Sequence, residues 1–398
     1  LAFWHLAQII NLRFVKPISM KKLLLVIALL SPVFTFAQKK AATPSVFDVL
    51  IGTYTNGNST SKGIYAYRFY ERNGQLAYLS EIDNVSNPSY LYVTNNNKFI
   101  YAVNEGPQGE VSSFTFNPVT GKMAFINKQG TQGADPCYVV ADKDQRNLFI
   151  ANYSSGSLSV FPLNKDGSIG ALSQHIQDSG TGVNKERQEG PHVHMAALSP
   201  NEKYLLYTDL GTDKVNVMRY KASKTPPLTP ADPAYVKVND GNGPRHLTFS
   251  ADGKYVYLLQ EIGGFINVYN YDNGSLKQVQ SLDMKTPEMK GNVGSAAIHL
   301  SPDGRFLYAS NRGNGNDIVE YAVSPDNGQL TFVSRTPSLG KGPRDFIIDP
   351  TGNYLLIANQ VGNNIVVYKL DAATGKPTYV ISRLELGSPV CLKIVPAE

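Results

Sequence analysis

From about residue 45 to its end, the chain repeats one hydrophobic pattern: an apolar run, a turn, then a second apolar run rich in Tyr, Phe, Ile and Leu. Apolar positions alternate or stand in short stretches bounded by pairs such as Asp-Gly and Asn-Gly, the signature of antiparallel strands. No segment after residue 40 carries a helical period. The copies read PSYLYVTNNNKFIYAVNE from Pro88, PCYVVADKDQRNLFIANY from Pro136, PHVHMAALSPNEKYLLYTDL from Pro191 and PRHLTFSADGKYVYLLQE from Pro244. SAAIHLSPDGRFLYASNR follows from Ser295 and PRDFIIDPTGNYLLIANQ from Pro343. Their starts lie about 46 to 55 residues apart, the period of a propeller blade rather than of a helical solenoid.

Partial copies at the two ends complete the count. SVFDVLIGTYT, from Ser45, begins at what is the second strand of a unit, and SPVCLKIVP, from Ser388, supplies a first strand and then stops. The pattern therefore predicts an all-β, seven-bladed β-propeller in which N- and C-terminal segments pair within one blade. Such a join leaves no unpaired inner edge.

Composition changes little of this, and mainly at the N-terminus. Met20, Lys21 and Lys22 precede an apolar run from Leu23 that ends at Thr35-Phe36-Ala37, the layout of a secretory signal peptide over about 20–37 and too short to span a bilayer. The expected organisation is an upstream segment and leader over 1–37, then one propeller domain over 38–398 that is periplasmic or secreted. Residues 1–37 hold Arg13, Lys16, Lys21 and Lys22 and no acid, so their removal takes the formal charge from +5 down by four, to +1. A near-neutral mature chain gives no electrostatic reason to expect nucleic acid or membrane as a partner. Cys137 and Cys391 fall on first strands of blades that are not neighbours, so two buried, unpaired thiols are expected. Oligomeric state leaves no mark in the pattern.

In an antiparallel pair, the start of one strand and the end of the next share an edge. In a propeller those edges form one rim around the central channel. The rim gathers Thr53 and Tyr54, Asn104 and Glu105, Asn152 and Tyr153, then His192, His194 and Asp209. Arg245, His246 and Glu261 come next, followed by Asn311 and Arg312, then Arg344, Asn359 and Gln360. Turns on the opposite face carry ordinary Asp-Gly and Asn-Gly, so ionisable residues concentrated on this rim mark it as the candidate site. Arg245 and Arg312 suit a carboxylate, phosphate or oxyanion; the competing reading is an ion pair with Glu261 or Asp209. Glu261 is either a general base or the anchor of Arg245. His192 and His194 share a strand phase and are expected to face the channel together, His246 to pack between blades, and His299 to be a satisfied core residue. Without further ligands at metal spacing, the His-x-His pair points to acid–base work, and no metal site is expected. The chain has no nucleophile elbow, P-loop or dinucleotide fingerprint, so no cofactor is expected.

LIGTYT from Leu50, RQEGPHVHMAALSP from Arg187, TDLGTDKV from Thr208, GPRHLTFSADGKYVYLLQE from Gly243, LSPDGRFLYASNRG from Leu300 and KGPRDFIIDPTGNYLLIANQ from Lys341 together resemble the lactonase family of seven-bladed propellers. That group includes the propeller-type 6-phosphogluconolactonases and the carboxy-muconate cyclases. The resemblance implies a metal-independent carboxylic-ester hydrolase acting on a small anionic or sugar lactone. It implies His194, Arg245, Glu261 and Arg312 as catalytic residues, with Arg187, His192, Asp209, Arg344 and Gln360 binding substrate. An exported chain meets no cytoplasmic sugar phosphate, which keeps an unphosphorylated aldonolactone in view. Two alternatives stay open: a muconate-type lactonising cyclase, and a non-catalytic binding propeller, since LYVTNNN at Leu91 also resembles Tyr-Val-Thr-Asn repeats.

Overall fold

The structure is a computed structural model that describes residues 45–289 and 293–397. The expected leader lies outside those residues. Seven four-stranded antiparallel sheets make up the fold, and no helix occurs among the described residues. In each sheet the strands follow chain order outward from the channel, except that the innermost strand of blade 1 is the last of the chain. That strand, Pro389–Pro396, pairs with Val46–Thr53 from Phe47↔Pro396 to Thr53↔Pro389. The closure read from the two partial copies is thus the one formed. The inner strands of blades 2 to 7 are Leu91–Val93, Pro136–Ala141, Val193–Leu198, Pro244–Phe249, Ser295–Leu300 and Pro343–Ile348.

The apolar core lies between blades. Tyr257, Leu259, Ile266 and Val268 of blade 5, for instance, form one buried cluster with Ile298, Leu307, Ala309 and Val319 of blade 6. The second and third strands of each blade therefore bury both faces over most of their length, which is why their sequences read as apolar runs rather than strict alternation. The turns away from the site are held by their own side chains. Ser301 Oγ donates to Asp303 at 2.7 Å and accepts the Phe306 N–H at 3.0 Å, and Ser250 does the same with Asp252 and Tyr255. Those Asp residues are spent on turn geometry. Cys137 and Cys391 are buried and unpaired, as expected.

One local device recurs at the channel mouth. The rim residue just after each second strand donates its backbone N–H to the carbonyl just before the inner strand: Tyr54 to Ser388, Glu105 to Asn87, Tyr153 to Asp135, Leu210 to His192, Glu261 to Gly243, Arg312 to Gly294 and Gln360 to Gly342, at 2.7 to 3.3 Å. In six blades the accepting residue is left-handed, with φ from 40° to 67°. Blade 4, where His192 occupies the place, is the exception. Immediately afterwards a β-bulge shifts the register, recorded in blades 1, 3, 4, 5, 6 and 7. The bulge leaves Cys137, His194, Arg245 and Arg344 opposite no single partner, and so re-aims them.

Deleting residues 388–398 leaves Phe47 to Thr53 without an inner neighbour. The truncated protein is expected to aggregate in size-exclusion chromatography and to lose on the order of 10 °C in thermal midpoint. A monomer with an unchanged midpoint would show that closure contributes nothing to stability.

Candidate functional site

Two rows of side chains meet at the mouth, and the register separates them. The last residues of the second strands are Thr53, Asn104, Asn152, Asp209, Gln260, Asn311 and Asn359, all buried. Several of them fasten neighbouring loops: Asn359 Nδ2 donates to the Ser338 carbonyl at 3.1 Å, and Asn311 Nδ2 to Asp317 at 3.0 Å. Asp209 belongs to this row. Its carboxylate accepts the N–H groups of His192, Gly211 and Thr212 and the Thr212 hydroxyl. Contrary to the sequence expectation, the structure puts Asp209 inside its own turn and not on the cavity, because four donors already saturate it. The residues one step further, Tyr54, Glu105, Tyr153, Glu261, Arg312 and Gln360, form the rim proper.

Glu261 is the centre of the charge. It is buried, with Arg187 Nη2 2.5 Å from Oε1, while Arg245 Nε and Arg312 Nη2 each lie 2.9 Å from Oε2. Burial alone would raise its pKa; the Arg312, Arg245 and Arg187 charges outweigh that and hold the carboxyl well below the usual range. Arg245 is only 2% exposed, and its Nη1 also donates to the Ala296 carbonyl. Burial, then the neighbouring Arg312, lowers it to about 10. Arg312 Nε donates to the Gly294 carbonyl at 2.8 Å, and Arg187 reaches the Tyr153 hydroxyl at 3.4 Å.

A cavity of about 720 Å³ opens above this cluster. Arg187, Arg312, Lys341 and Arg344 line it, against the single carboxylate of Glu261, so its field favours anions. Gln360 and Asn316 are also on its wall. Arg245 is packed behind Glu261 and does not line the cavity. Lys341 is a lining residue that the sequence reading quoted in a motif but did not single out; its place two residues before Pro343, in the loop that feeds an inner strand, was the available signal.

The His-x-His pair departs furthest from expectation. His192 and His194 both pack against the Tyr153 ring, at 4.5 and 5.5 Å, and neither is on the cavity wall. His192 ends the loop before the strand, stacks on Tyr153 at 4.5 Å, with Nδ1 3.1 Å from the Tyr153 carbonyl and Nε2 3.1 Å from Glu189. His194 is the bulge residue, buried, with Nδ1 3.8 Å from Cys137 Sγ. His246 meets the His194 ring of neighbouring blade 4 at 5.2 Å, as expected, and also reaches Tyr138 of blade 3 at 5.5 Å. For His192 and His194, an inserted residue breaks the two-residue alternation on which the phase argument relied. His299 is satisfied by Asp345 at 3.2 Å, as expected. None of the three histidines at the mouth lines the cavity. Among the described residues no group of three or more His, Cys, Asp or Glu is placed to hold a metal ion.

Comparison with known proteins agrees with this architecture. The family described as Lactonase, 7-bladed beta-propeller matches residues 48–394. A 6-phosphogluconolactonase of Formosa agariphila is 35% identical over 334 residues, covering 82% of this chain and 94% of that protein. The Bacillus subtilis 6-phosphogluconolactonase is 32% identical over 348 residues, covering 87% and 97%. A periplasmic gluconolactonase of Pseudomonas aeruginosa superposes with a TM-score of 0.84 at 39% identity, covering 89% of this chain and all of that one.

Protonation gives the site a distinct pH signature. Burial first, and then the Arg245 charge, pushes His194 and His246 well below their ordinary 6.5, so both are neutral when folded. The unfolded chain takes up protons below 6.5 that the folded one refuses, and stability declines there by up to about 1.4 kcal/mol per pH unit for each histidine. Glu261 has a depressed acid pKa, so its contribution is complete above its ordinary 4.5 and is lost only in stronger acid. Burial raises the Asp178 and Glu320 carboxyls to about 7, and their proton uptake in the folded state offsets the histidine loss over the same range. In urea unfolding from pH 8 to 5, His246→Phe is therefore expected to gain stability relative to wild type below pH 6.5. Identical profiles for the two proteins would contradict the assignment.

Proposed function

The chain belongs to the seven-bladed β-propeller lactonase family, hydrolases of the 6-phosphogluconolactonase type, and on that premise we propose that the channel-mouth cavity opens a sugar lactone by water attack. The observation that carries the reading is an ionised Glu261 held by Arg187 and Arg312 on the wall of one cavity. A scaffold that only bound partners has no need of that convergence.

The chemistry follows from the charges. Arg312 and Arg187 keep donors towards the cavity and supply positive charge to the carbonyl oxygen as it becomes an oxyanion. Glu261 orients the attacking water and accepts its proton. A new bond forms between the water oxygen and the carbonyl carbon, the bond from that carbon to the ring oxygen breaks, and the proton passes to the departing oxygen to give the hydroxy acid. A depressed pKa makes Glu261 a weak base at rest. Charge drawn from the arginines by the developing oxyanion relieves that depression as the proton arrives. Arg245, buried behind the carboxylate, fixes its position. His194 is assigned a supporting place beneath the site rather than proton transfer, because it is not on the cavity wall. Since the segment over about 20–37 has the layout of a leader and the Pseudomonas relative is named periplasmic, we propose that this chain also works outside the cytoplasm.

Titration at constant pH with gluconolactone and its 6-phosphate tests the assignment against spontaneous hydrolysis. Glu261→Gln and Arg312→Ala are each expected to lower kcat/KM by about 10²- to 10³-fold. Rates equal to wild type in both variants would sink it.

A further inference from the structure

Arg187 differs from the other arginines on Glu261 in what carries it. Arg245 sits on an inner strand and Arg312 directly after a second strand, whereas Arg187 comes from the connection between Gln174–Gln177, the outer strand of blade 3, and Val193–Leu198 of blade 4. From Ser179 to Pro191 no backbone group of this strap bonds to a blade among the described residues. Side chains hold it instead.

Two clamps fasten the strap to blade 4. At the far end Gln188 is fully buried: Oε1 accepts the Asn184 N–H at 3.1 Å, and Nε2 donates to the Leu210 carbonyl at 2.9 Å. Those bonds close the turn beside Arg187 and involve no titratable group. At the near end the Asp178 backbone stays on blade 3, where its N–H donates to the Gly156 carbonyl at 3.0 Å, while its side chain crosses to blade 4. There Oδ1 accepts the Tyr207 hydroxyl at 2.9 Å, and Oδ2 the Asn216 amide at 3.1 Å. The Asp209 carboxyl is within hydrogen-bonding reach as well.

Two carboxyl groups in contact resist carrying two negative charges. Asp209 is taken up by the donors of its own turn, so the proton is carried by Asp178. Burial, then the Asp209 charge, raises the Asp178 carboxyl to about 7, with Lys214 of the third strand acting against the rise. The other charged groups nearby are committed: Lys237 to Asp240 at 2.7 Å, His175 to Ser159 at 3.3 Å, and Asp213 to the Gly241 and Gly243 N–H groups. In acid a neutral Asp178 keeps the strap closed. In base its charge opposes that of Asp209, and Gln188 is left as a single pivot from which Arg187 swings off Glu261.

We propose that Asp178 is a positioning residue for Arg187: its neutral carboxyl, set against Asp209, clamps the 178–190 strap on blade 4 and so keeps Arg187 on Glu261. The part that Arg187 plays in lactone opening rests on the function proposed above; the clamp does not.

Asp178→Asn is the decisive variant, because an amide stays neutral at every pH. Wild-type kcat/KM on gluconolactone, corrected for spontaneous hydrolysis, is expected to fall about tenfold from pH 6 to 8.5; Asp178→Asn stays level and Asp178→Ala is low throughout. In an Arg187→Ala background the Asn substitution is expected to change nothing. A pH profile that Asp178→Asn leaves in place, or an Asn effect that survives without Arg187, overturns the positioning role. Trypsin reads the strap without any substrate. Cleavage after Lys185, taken as the ratio of wild type to Asp178→Asn at each pH, is expected to rise about tenfold above pH 7. That rise in a protein that opens no lactone supports the clamp and defeats the lactonase reading alone. Lactone hydrolysis with a constant cleavage ratio defeats the clamp alone.

Discussion

The channel mouth depends on one backbone hydrogen bond made in every blade, from the end of the second strand to the carbonyl that precedes the inner strand. Closing that bond forces the preceding residue into a left-handed turn in six blades, where Asn, Asp, Gly and Ser stand rather than branched residues. The chain then enters its inner strand through a bulge, which turns one side chain out of the ladder and towards the axis. Six such entries, with the entry of blade 2 that has no recorded bulge, put the paired positions of the ring at one opening. What the site can do is decided by which pairs carry charge, and the backbone is the same whether they do or not.

Charge is distributed unevenly over those positions. On one side three arginines share one buried carboxylate, an arrangement in which each cation lowers the cost of burying Glu261 and Glu261 lowers the cost of burying them. Removal of any member leaves charge stranded in a dry environment, so the group behaves as a unit. On the other side Arg344 pairs with Glu105 at 3.9 Å, and Glu105 also accepts two hydroxyls.

Much of this was readable along the chain because blade repetition makes residue type report position. Glu261, Arg312 and Gln360 could be placed on one rim from the strand-end dipeptides Gln-Glu, Asn-Arg and Asn-Gln alone, and all three are on the cavity wall. In the blade 4 copy, PHVH carries two extra residues after its leading Pro191, so the register puts His192 at the Gly243 position and His194 at the bulge. Asp209 was legible as a rim residue and illegible as a saturated turn acceptor, since three of its four donors are backbone groups that no side-chain pattern records.

The sequence by itself determined the all-β class, the seven-fold repeat and the pairing of the two ends, because alternation of apolar residues and turn chemistry are local and recur at each copy. Tertiary structure alone decided which rim residues share a cavity and which are spent on loops. It also decided that Glu261 gathers three arginines at 2.5 to 2.9 Å while Arg344 pairs with Glu105 at 3.9 Å. Those outcomes depend on distances between blades and on bulges that reset side-chain direction, and neither is encoded in the spacing of residues within one strand.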